Sequence, residues 1–544
     1  MANAKYNIPF PVNEPVKTYA PGTKERGEIK ATLTMLRETQ IEIPLIIGGE
    51  EVRTGRVVEC RLPHNHGCVV AVYHQAGKRE IAHAIEAALA ARSRWCEMEW
   101  HERASVFLKA AELVSGPWRH LLNASNMLGQ SKNVFQAEID SSCELADFLR
   151  FNSYYAMQLY EQQPLYSPSP TWNRMDYRPL EGFVFAVTPF NFLSIAGNLP
   201  TCPALMGNVV LWKPASNAVY PAYYFMKLLK EAGLPDGVIN FIPGSGNSIG
   251  PVVLSSPYLA GVHFTGSTET FRLIWKEVGN NISNYKTYPR MVGETGGKDF
   301  IFAHRSARVE ALSVALIRGA FEYQGQKCSA VSRAYIPRSL WGDLKDHLIN
   351  TLKTVKIGDV EDFSNFMNAV IDGSAFSRIT DYIEYVRGSQ DSEIIFGGDY
   401  DKSRGYFISP TVAVTSNPHS RTMEEEVFGP LLTIYLYDDD NYEETLHLCE
   451  STSPYGLTGA IFSQDRQAVA IAESILQNAA GNFYINDKPT GAVVGQQPFG
   501  GSRLSGTNDK AGSILNMLRW VSPRSIKENF LPPLDYRYPF MEEP

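Results

Sequence analysis

GFVFAV (182–187) followed by TPFN, NVVLW (208–212) followed by KPAS, VINFIPG (238–244) followed by SGNSIG, and GVHF (261–264) followed by TGSTET form the stretch whose reading decides the fold. Each short β-branched or aromatic run gives way to a turn and then to a helical pattern. Strands alternating with helices build βαβ units and a parallel sheet, so the chain reads as α/β. Upstream, residues 78–160 are long, helical and polar-faced, with EIAHAIEAALAARSRW (80–95) as the clearest 3.6-residue period, and they are expected to pack on that sheet. After residue 300 the alternation resumes.

Two segments interrupt the pattern. EQQPLYSPSPTWNRMDYRPL (161–180) is rich in Pro, Tyr and Ser and reads as an excursion from the core. The tail 521–544 ends in a Pro- and Tyr-rich stretch that cannot form a compact unit alone. At 544 residues the chain exceeds the size of one hydrophobic core, so two or more domains are expected. Apolar residues make up 44% and charged residues 20%, which excludes a disordered chain.

The formal charge of −8 carries no long basic run, which argues against nucleic acid as a partner. No apolar stretch approaches the roughly 18–20 residues that span a bilayer, and no membrane partner is expected. Seven cysteines (Cys60, Cys68, Cys96, Cys143, Cys202, Cys328, Cys449) lack CxxC spacing. They suggest reduced thiols, and no metal site is expected. The N-terminal MANAKYNIPFPVNEPVK shows no export or organelle signal, so the expected compartment is the cytoplasm, or the mitochondrial matrix if a transit peptide is missing from this chain.

Three pieces carry chemistry. Cys328 lies in EYQGQKCSA; a lone cysteine of this kind is ordinarily a small buried hydrophobe. Glu294 sits in GETGGKDF, among glycines that let backbone approach closely. Asn191 follows a strand and precedes a helix in TPFNFLSIAGN (188–198), where a turn or N-cap role would be the ordinary one. LWKPAS puts Lys213 at a strand end, where a lysine is ordinarily a solvated charge.

Together with FTGSTE (264–269), EEVFGP (425–430) and PFGGSRLSG (498–506), and in this order, these pieces resemble the aldehyde dehydrogenase superfamily over about residues 40–530. The resemblance implies a Rossmann-like NAD-binding domain (1–160 and 181–295), an α/β catalytic domain (296–510), and a small β oligomerisation flap with the C-terminal tail (161–180 and 511–544). It implies Cys328 as the nucleophile that forms a tetrahedral adduct with an aldehyde. Asn191 and the Cys328 backbone N–H would hold the resulting oxyanion, an interaction whose loss costs about 2.7–4 kcal/mol. Glu294 would be the base that activates water against the thioester, helped by a pKa raised in its pocket.

For the cofactor, NAD, the resemblance implies Thr188, Pro189, Phe190, Lys213, Pro214, Ser216, Gly246, Gly266, Ser267, Thr268, Glu426 and Phe428. Gly266, Ser267 and Thr268 would lie beside the pyrophosphate at a helix N-terminus. PGSGNSIG (243–250) lacks GxGxxG spacing and is read as a loop near the adenosine, or as a plain turn. Many NAD-specific relatives carry an acid where this chain has Ser216, so preference over NADP rests on the closer subfamily.

Within the superfamily, NFYINDKPTGAVVGQQPFGGSRLSGTNDKAG (482–512), LRWVSP (518–523) and FEYQGQKCSA (321–330) resemble the branch that oxidises L-glutamate γ-semialdehyde, the open form of 1-pyrroline-5-carboxylate. That implies substrate contacts from Ser329, Gly491 and Ala492 to the α-carboxylate, from Phe192 and Phe499 to the aliphatic chain, and from Glu144 near the ammonium. At position 492 relatives often have serine, so one hydroxyl donor is missing. Alternatives are a dehydrogenase for another semialdehyde such as succinate semialdehyde, or a binding protein on an inactive scaffold, which the presence of Cys328, Glu294 and Asn191 disfavours. The match leaves no room for a fused proline dehydrogenase, so transient contact with a separate one is expected. At least a homodimer is expected.

Overall fold

The computed structural model describes residues 4–542; Met1–Asn3 of the N-terminal stretch and the last two residues of the tail lie outside the described residues. The runs quoted above become the strands Phe183–Val187, Val209–Lys213, Ile239–Phe241 and Leu259–Thr265. Their side chains are buried on both faces, as a parallel sheet covered by helices requires. With Arg290–Glu294 they pair in parallel, and the antiparallel strands Leu45–Ile47 and Glu50–Val52 complete a seven-stranded sheet.

The strand order reverses beside Phe183–Val187, which has Val209–Lys213 on one side and Leu259–Thr265 on the other. The two crossovers leave in opposite directions and open a crevice above the strand C-termini, where α/β sheets bind ligands. Thr188, Lys213 and Gly266 all stand at this edge. The helices Lys78–Glu97, Trp100–Ser115, Arg119–Gln130 and Leu145–Tyr160 form the layer expected from 78–160.

Only four residues separate Glu294 from the first strand of a second seven-stranded sheet. There Asp299–Ala303 runs parallel between Val331–Pro337 and Thr458–Phe462. Leu431–Tyr437, Thr411–Thr415 and Asn482–Ile485 extend it in parallel, and Ser392–Phe396 closes one edge antiparallel. The C-terminal edge of the first sheet therefore faces the N-terminal edge of the second. The excursion carries the strand Thr171–Pro179, which pairs antiparallel with Val521–Asn529 over nine registered positions. Met517 and Trp520, just before that partner strand, and Val521 at its start are buried in the core of the first sheet.

A buried ion pair joins the irregular N-terminal segment to the helical layer. The Glu138 carboxylate accepts from Lys17 N (2.9 Å), Tyr19 Oη (2.8 Å), Asn123 Nδ2 (2.8 Å) and the Arg119 guanidinium. Both ionic side chains are almost fully buried. Glu138→Ala should therefore lower stability by about 1–3 kcal/mol: the Arg119 guanidinium keeps the Glu14 carboxylate (2.7 Å), but the buried donors of Tyr19 and Asn123 lose their shared acceptor. A thermal or urea midpoint equal to wild type would refute this.

Candidate active site

Glu294 closes its strand at the seam between the sheets. Its carbonyl accepts from Gly266 N (3.2 Å), and the next residue donates from Thr295 N to Ser505 O (2.9 Å). Burial pushes the Glu294 carboxyl up to about 8; the Lys510 ammonium opposes the shift and Asp509 adds to it.

Cys328 is reached through a strained turn. After the helix Val309–Phe321, Tyr323 (φ 51°) and Gln324 (φ 57°) lie in the left-handed region, followed by Gly325 (φ 68°). Side-chain amides hold this turn: Gln324 Nε2 donates to Ser131 O (3.0 Å) and Ala369 O (2.8 Å), and Gln326 Oε1 accepts from Ile371 N (2.9 Å). Gly297 must be glycine here, since a Cβ would fall 2.2 Å from Cys328 O. Burial pushes the Cys328 thiol well up, and the carboxyls of Glu294, Asp299 and Glu426 push the same way.

Asn191 is buried, and its Nδ2 donates to Gln326 O at 3.1 Å, two residues before Cys328. One of its two amide hydrogens is thereby used and the other is left to donate. Cys328 and Glu294 line one cavity of about 490 Å³, and all six residues expected on the substrate side, Glu144, Phe192, Ser329, Gly491, Ala492 and Phe499, line it with them. Asn191 stands outside that lining. Ser329 Oγ donates to Thr490 Oγ1 (2.9 Å), and Gly491 has φ 95°. Glu144 accepts from Ser194 Oγ (3.0 Å); burial pushes its carboxyl up to about 8, with Asp140 adding to the shift.

The residues expected around the cofactor gather at the crevice. Thr188 Oγ1 accepts from Trp212 Nε1 (3.0 Å) beside Pro189 and Phe190, and Phe190 meets Phe428 edge to face with centroids 5.8 Å apart. Phe428 has φ 54°, so the second sheet presents this ring from a left-handed turn. Lys213 is buried, burial lowers its ammonium to about 8, and its hydrogen-bond partner is Pro214 O (3.1 Å). A Cβ on Gly246 would stand 3.9 Å from Lys213 Cε. Ser216 opens a short 3₁₀ turn after Pro214.

Ser267 caps the helix Thr268–Asn280 by accepting from Thr270 N (3.3 Å), next to Gly266. Thr268 Oγ1 accepts from Gly296 N (3.4 Å). Glu426 Oε1 accepts from Gly297 N (2.8 Å), and burial pushes that carboxyl up to about 7.

Several buried groups at the site have no signature in the sequence. Lys132 pairs with Asp140 (2.5 Å) and Lys327 with Glu322 (3.0 Å). Asp299 Oδ1 accepts from Thr458 N (2.6 Å), and burial pushes its carboxyl up to about 8. Each partner is chosen by tertiary contact, and the short words around these residues resemble any helix or loop.

Two largely parallel sheets that meet edge to edge over a buried thiol and carboxyl, beside a nucleotide-type crevice, are the architecture of an α/β oxidoreductase. The family model described as "Aldehyde dehydrogenase family" matches residues 51–523, and the chain belongs to that family. It is similar to the mitochondrial delta-1-pyrroline-5-carboxylate dehydrogenase of Dictyostelium discoideum, with 52% identity covering 99% of this chain and 97% of that one. The mitochondrial enzyme of the same name from Homo sapiens is 50% identical, covering 97% of this chain and 94% of its own. The crystal structure of the Delta-pyrroline-5-carboxylate dehydrogenase from Mycobacterium tuberculosis bound with NAD matches at a TM-score of 0.96, with 52% identity and 100% of both chains covered. Among the described residues no helix is long and apolar enough to cross a membrane.

The raised Glu294 carboxyl sets a pH dependence. In the unfolded chain it loses its proton near 4.5 and in the folded protein near 8, so its burial removes stability progressively as pH rises between the two. Glu294→Gln should gain melting temperature over wild type as pH rises from about 5 to about 8. A rise of wild-type turnover through about pH 8 should be lost in the same variant. An identical limb and no pH-dependent gain would exclude this titration.

Proposed function

We propose that the chain oxidises L-glutamate γ-semialdehyde, the open form of 1-pyrroline-5-carboxylate, to L-glutamate with NAD, as in proline degradation. The observation that carries the reading is the single cavity in which Cys328 and Glu294 meet Ser329 and the Gly491–Ala492 loop. The names of the similar proteins from Dictyostelium discoideum, Homo sapiens and Mycobacterium tuberculosis support the substrate.

The residues present fit NAD. The buried Lys213 ammonium, bonded to one carbonyl, keeps N–H groups for ribose hydroxyls. The N-terminus of the helix Thr268–Asn280 suits a pyrophosphate. Glu426 Oε2 lies 2.5 Å from where Gly296 lacks a Cβ and is placed to take a second ribose. Phe190 and Phe428 flank the nicotinamide end. When bound, NAD supplies the hydride acceptor. The domain 1–160 and 181–295 binds it, and the domain 296–510 supplies Cys328.

Cys328 gives its thiol proton to the Glu294 carboxylate on the same cavity wall as Sγ adds to the aldehyde carbon, and the carbonyl oxygen becomes an oxyanion held by Asn191 Nδ2 and the Cys328 N–H. Collapse of this adduct with loss of hydride leaves a thioester on Cys328. Glu294, its first proton passed to solvent, takes a proton from water as that water attacks the thioester; the C–S bond breaks and the proton returns to Sγ, releasing the thiol and the carboxylic acid. Gly491, Ala492 and Ser329 hold the α-carboxylate and Phe192 and Phe499 the chain. Glu144, held neutral by burial, ionises against the substrate ammonium. The paired strands Thr171–Pro179 and Val521–Asn529 serve a homodimer. A reducing compartment suits the seven free thiols, the mitochondrial matrix being favoured by the relatives' names and the cytoplasm being the alternative.

Cys328→Ala should abolish NADH production while NAD still binds; residual turnover above about 1% of wild type would remove Cys328 from the mechanism. A polar site built around a charged group discriminates by up to about 10⁴ against analogues lacking it. Glutamate semialdehyde should therefore exceed pentanal in kcat/KM by at least about 10³, and Ala492→Ser should lower its KM modestly. Equal oxidation of pentanal or succinate semialdehyde would overturn the substrate but leave the aldehyde chemistry standing.

A further inference from the structure

We propose that Asn13 is a positioning residue for substrate binding, tying the N-terminal segment to the loop that carries Gly491 and Ala492. This rests on the reading that the loop holds the substrate α-carboxylate. Residues 4–23 contain no helix or strand and precede the family match at 51–523. Asn13, Glu14 and Val16 nevertheless line the same cavity as Cys328.

The whole amide of Asn13 is engaged. Its Nδ2 donates to Asp147 Oδ2 (2.8 Å) and to Val494 O (2.8 Å), and its Oδ1 accepts from Gln496 Nε2 (3.0 Å). The orientation follows from these partners. Turned over, the amide oxygen would face a carboxylate and a carbonyl with no hydrogen between them, and its NH₂ would face another donor.

The segment is anchored independently of the loop. Glu14 N donates to Asp147 Oδ1 (2.8 Å), and the Glu14 carboxylate pairs with Arg119 (2.7 Å) and Arg150 (2.8 Å). Lys17 N is held by Glu138, as described above. Asn13 is thus presented by a fixed strap.

The loop needs such a partner. Among the described residues, the hydrogen bonds leaving segment 487–497 are Ser329 to Thr490 on one side of Gly491–Ala492, and the two with Asn13 on the other. Lys488 Nζ to Thr490 O and Gln497 to Val493 N stay within the loop. Val494 packs with Phe148 and Phe151, but apolar contact is non-directional and does not aim a backbone N–H. A binding group is effective when held within about 0.5 Å of its productive place. Losing Asn13 should leave the loop attached and poorly aimed.

The test compares wild type and Asn13→Ala on glutamate semialdehyde, supplied as 1-pyrroline-5-carboxylate, and on pentanal, which has no carboxylate for the loop to hold. The expected result is a rise of about tenfold in KM for glutamate semialdehyde, equal to about 1.4 kcal/mol. kcat should stay within about twofold, and kcat/KM for pentanal and NAD affinity should be unchanged. Gln496→Ala should raise the same KM by less, and it carries the test if Asn13→Ala fails to fold. An unchanged KM, or equal losses on both aldehydes, would overturn the proposal. A wild-type enzyme indifferent between the two aldehydes would instead overturn the substrate reading, and that result comes before any variant is compared.

Discussion

The carboxylate of Asp140, fully buried, is the interaction on which the site's geometry depends. Its Oδ1 accepts from Ser194 N (2.8 Å) and its Oδ2 from Leu193 N (2.9 Å), so it sits on the N-terminus of the helix Leu193–Leu205. An anion is favoured there by the unpaired N–H groups and the helix dipole. The same oxygen accepts from Asn126 Nδ2 (2.7 Å) and from the Lys132 ammonium. Lys132 in turn lies 4.7 Å from the Phe192 ring centroid and 4.6 Å from that of Tyr323. One ion pair thus fixes the turn of Asn191 and Phe192, the strained turn ahead of Cys328 and the helical layer behind both. Buried pairs contribute little net stability, but removing one partner is severe, which suits a contact whose work is geometric.

Around the thiol the electrostatics are unusual for a nucleophile. The groups pressing on Cys328 are carboxyls, those of Glu294, Asp299 and Glu426. Nearby cations offer little relief. Burial and the neighbouring Arg333 push Lys298 down to about 7, and Lys327 is paired with Glu322. Like charges so close and so dry cannot all ionise, so these acids share protons at neutral pH. The resting cysteine is a thiol. Low thiolate character protects it against oxidation, since oxidants and disulfides react with the thiolate. The cost is that attack requires proton removal within the site, and Glu294, on the same cavity wall, is the acceptor within the proposed mechanism.

Much of this was legible in the sequence, for a physical reason. The strands of the first sheet are buried on both faces, so GFVFAV and NVVLW are almost continuous apolar runs, and the residues following them stand by geometry at the C-terminal edge. Thr188, Lys213 and Gly266 could be placed from that rule alone. Cys328 and Glu294 were identified by the order of short glycine-bearing motifs, because close backbone approach leaves glycine as a visible mark. Asp140, Lys132, Asn13 and Asp147 carried no such mark. Asn13 finds Val494 across 481 positions and Asp140 finds Leu193 across 53, and neither partner alters the local pattern. A polar residue inside an amphipathic helix reads as solvated until something packs over it.

The helix lining the cavity holds a further feature that periodicity hid. Between Val134–Ala137 and Leu145–Tyr160, residues Glu138–Glu144 form a π-helical turn, with Leu145 N reaching back to Asp140 O. Such a turn adds one residue to an α-helix and rotates everything beyond it by roughly 100°. Before the extra residue, Glu138 points at Arg119 and Asp140 at the helix Leu193–Leu205. After it, Asp147 meets Asn13, and Phe148 and Phe151 meet Val494. Phe151 comes so close that a Cβ on Gly495 would stand 2.1 Å from its ring. A regular helix could present only one of these two sets correctly. Keeping Asp140 on its helix terminus would swing Asp147 and the two phenylalanines about a quarter-turn away from the loop. The π turn lets a single helix serve the Phe192 side and the Gly491–Ala492 side of one cavity at the same time.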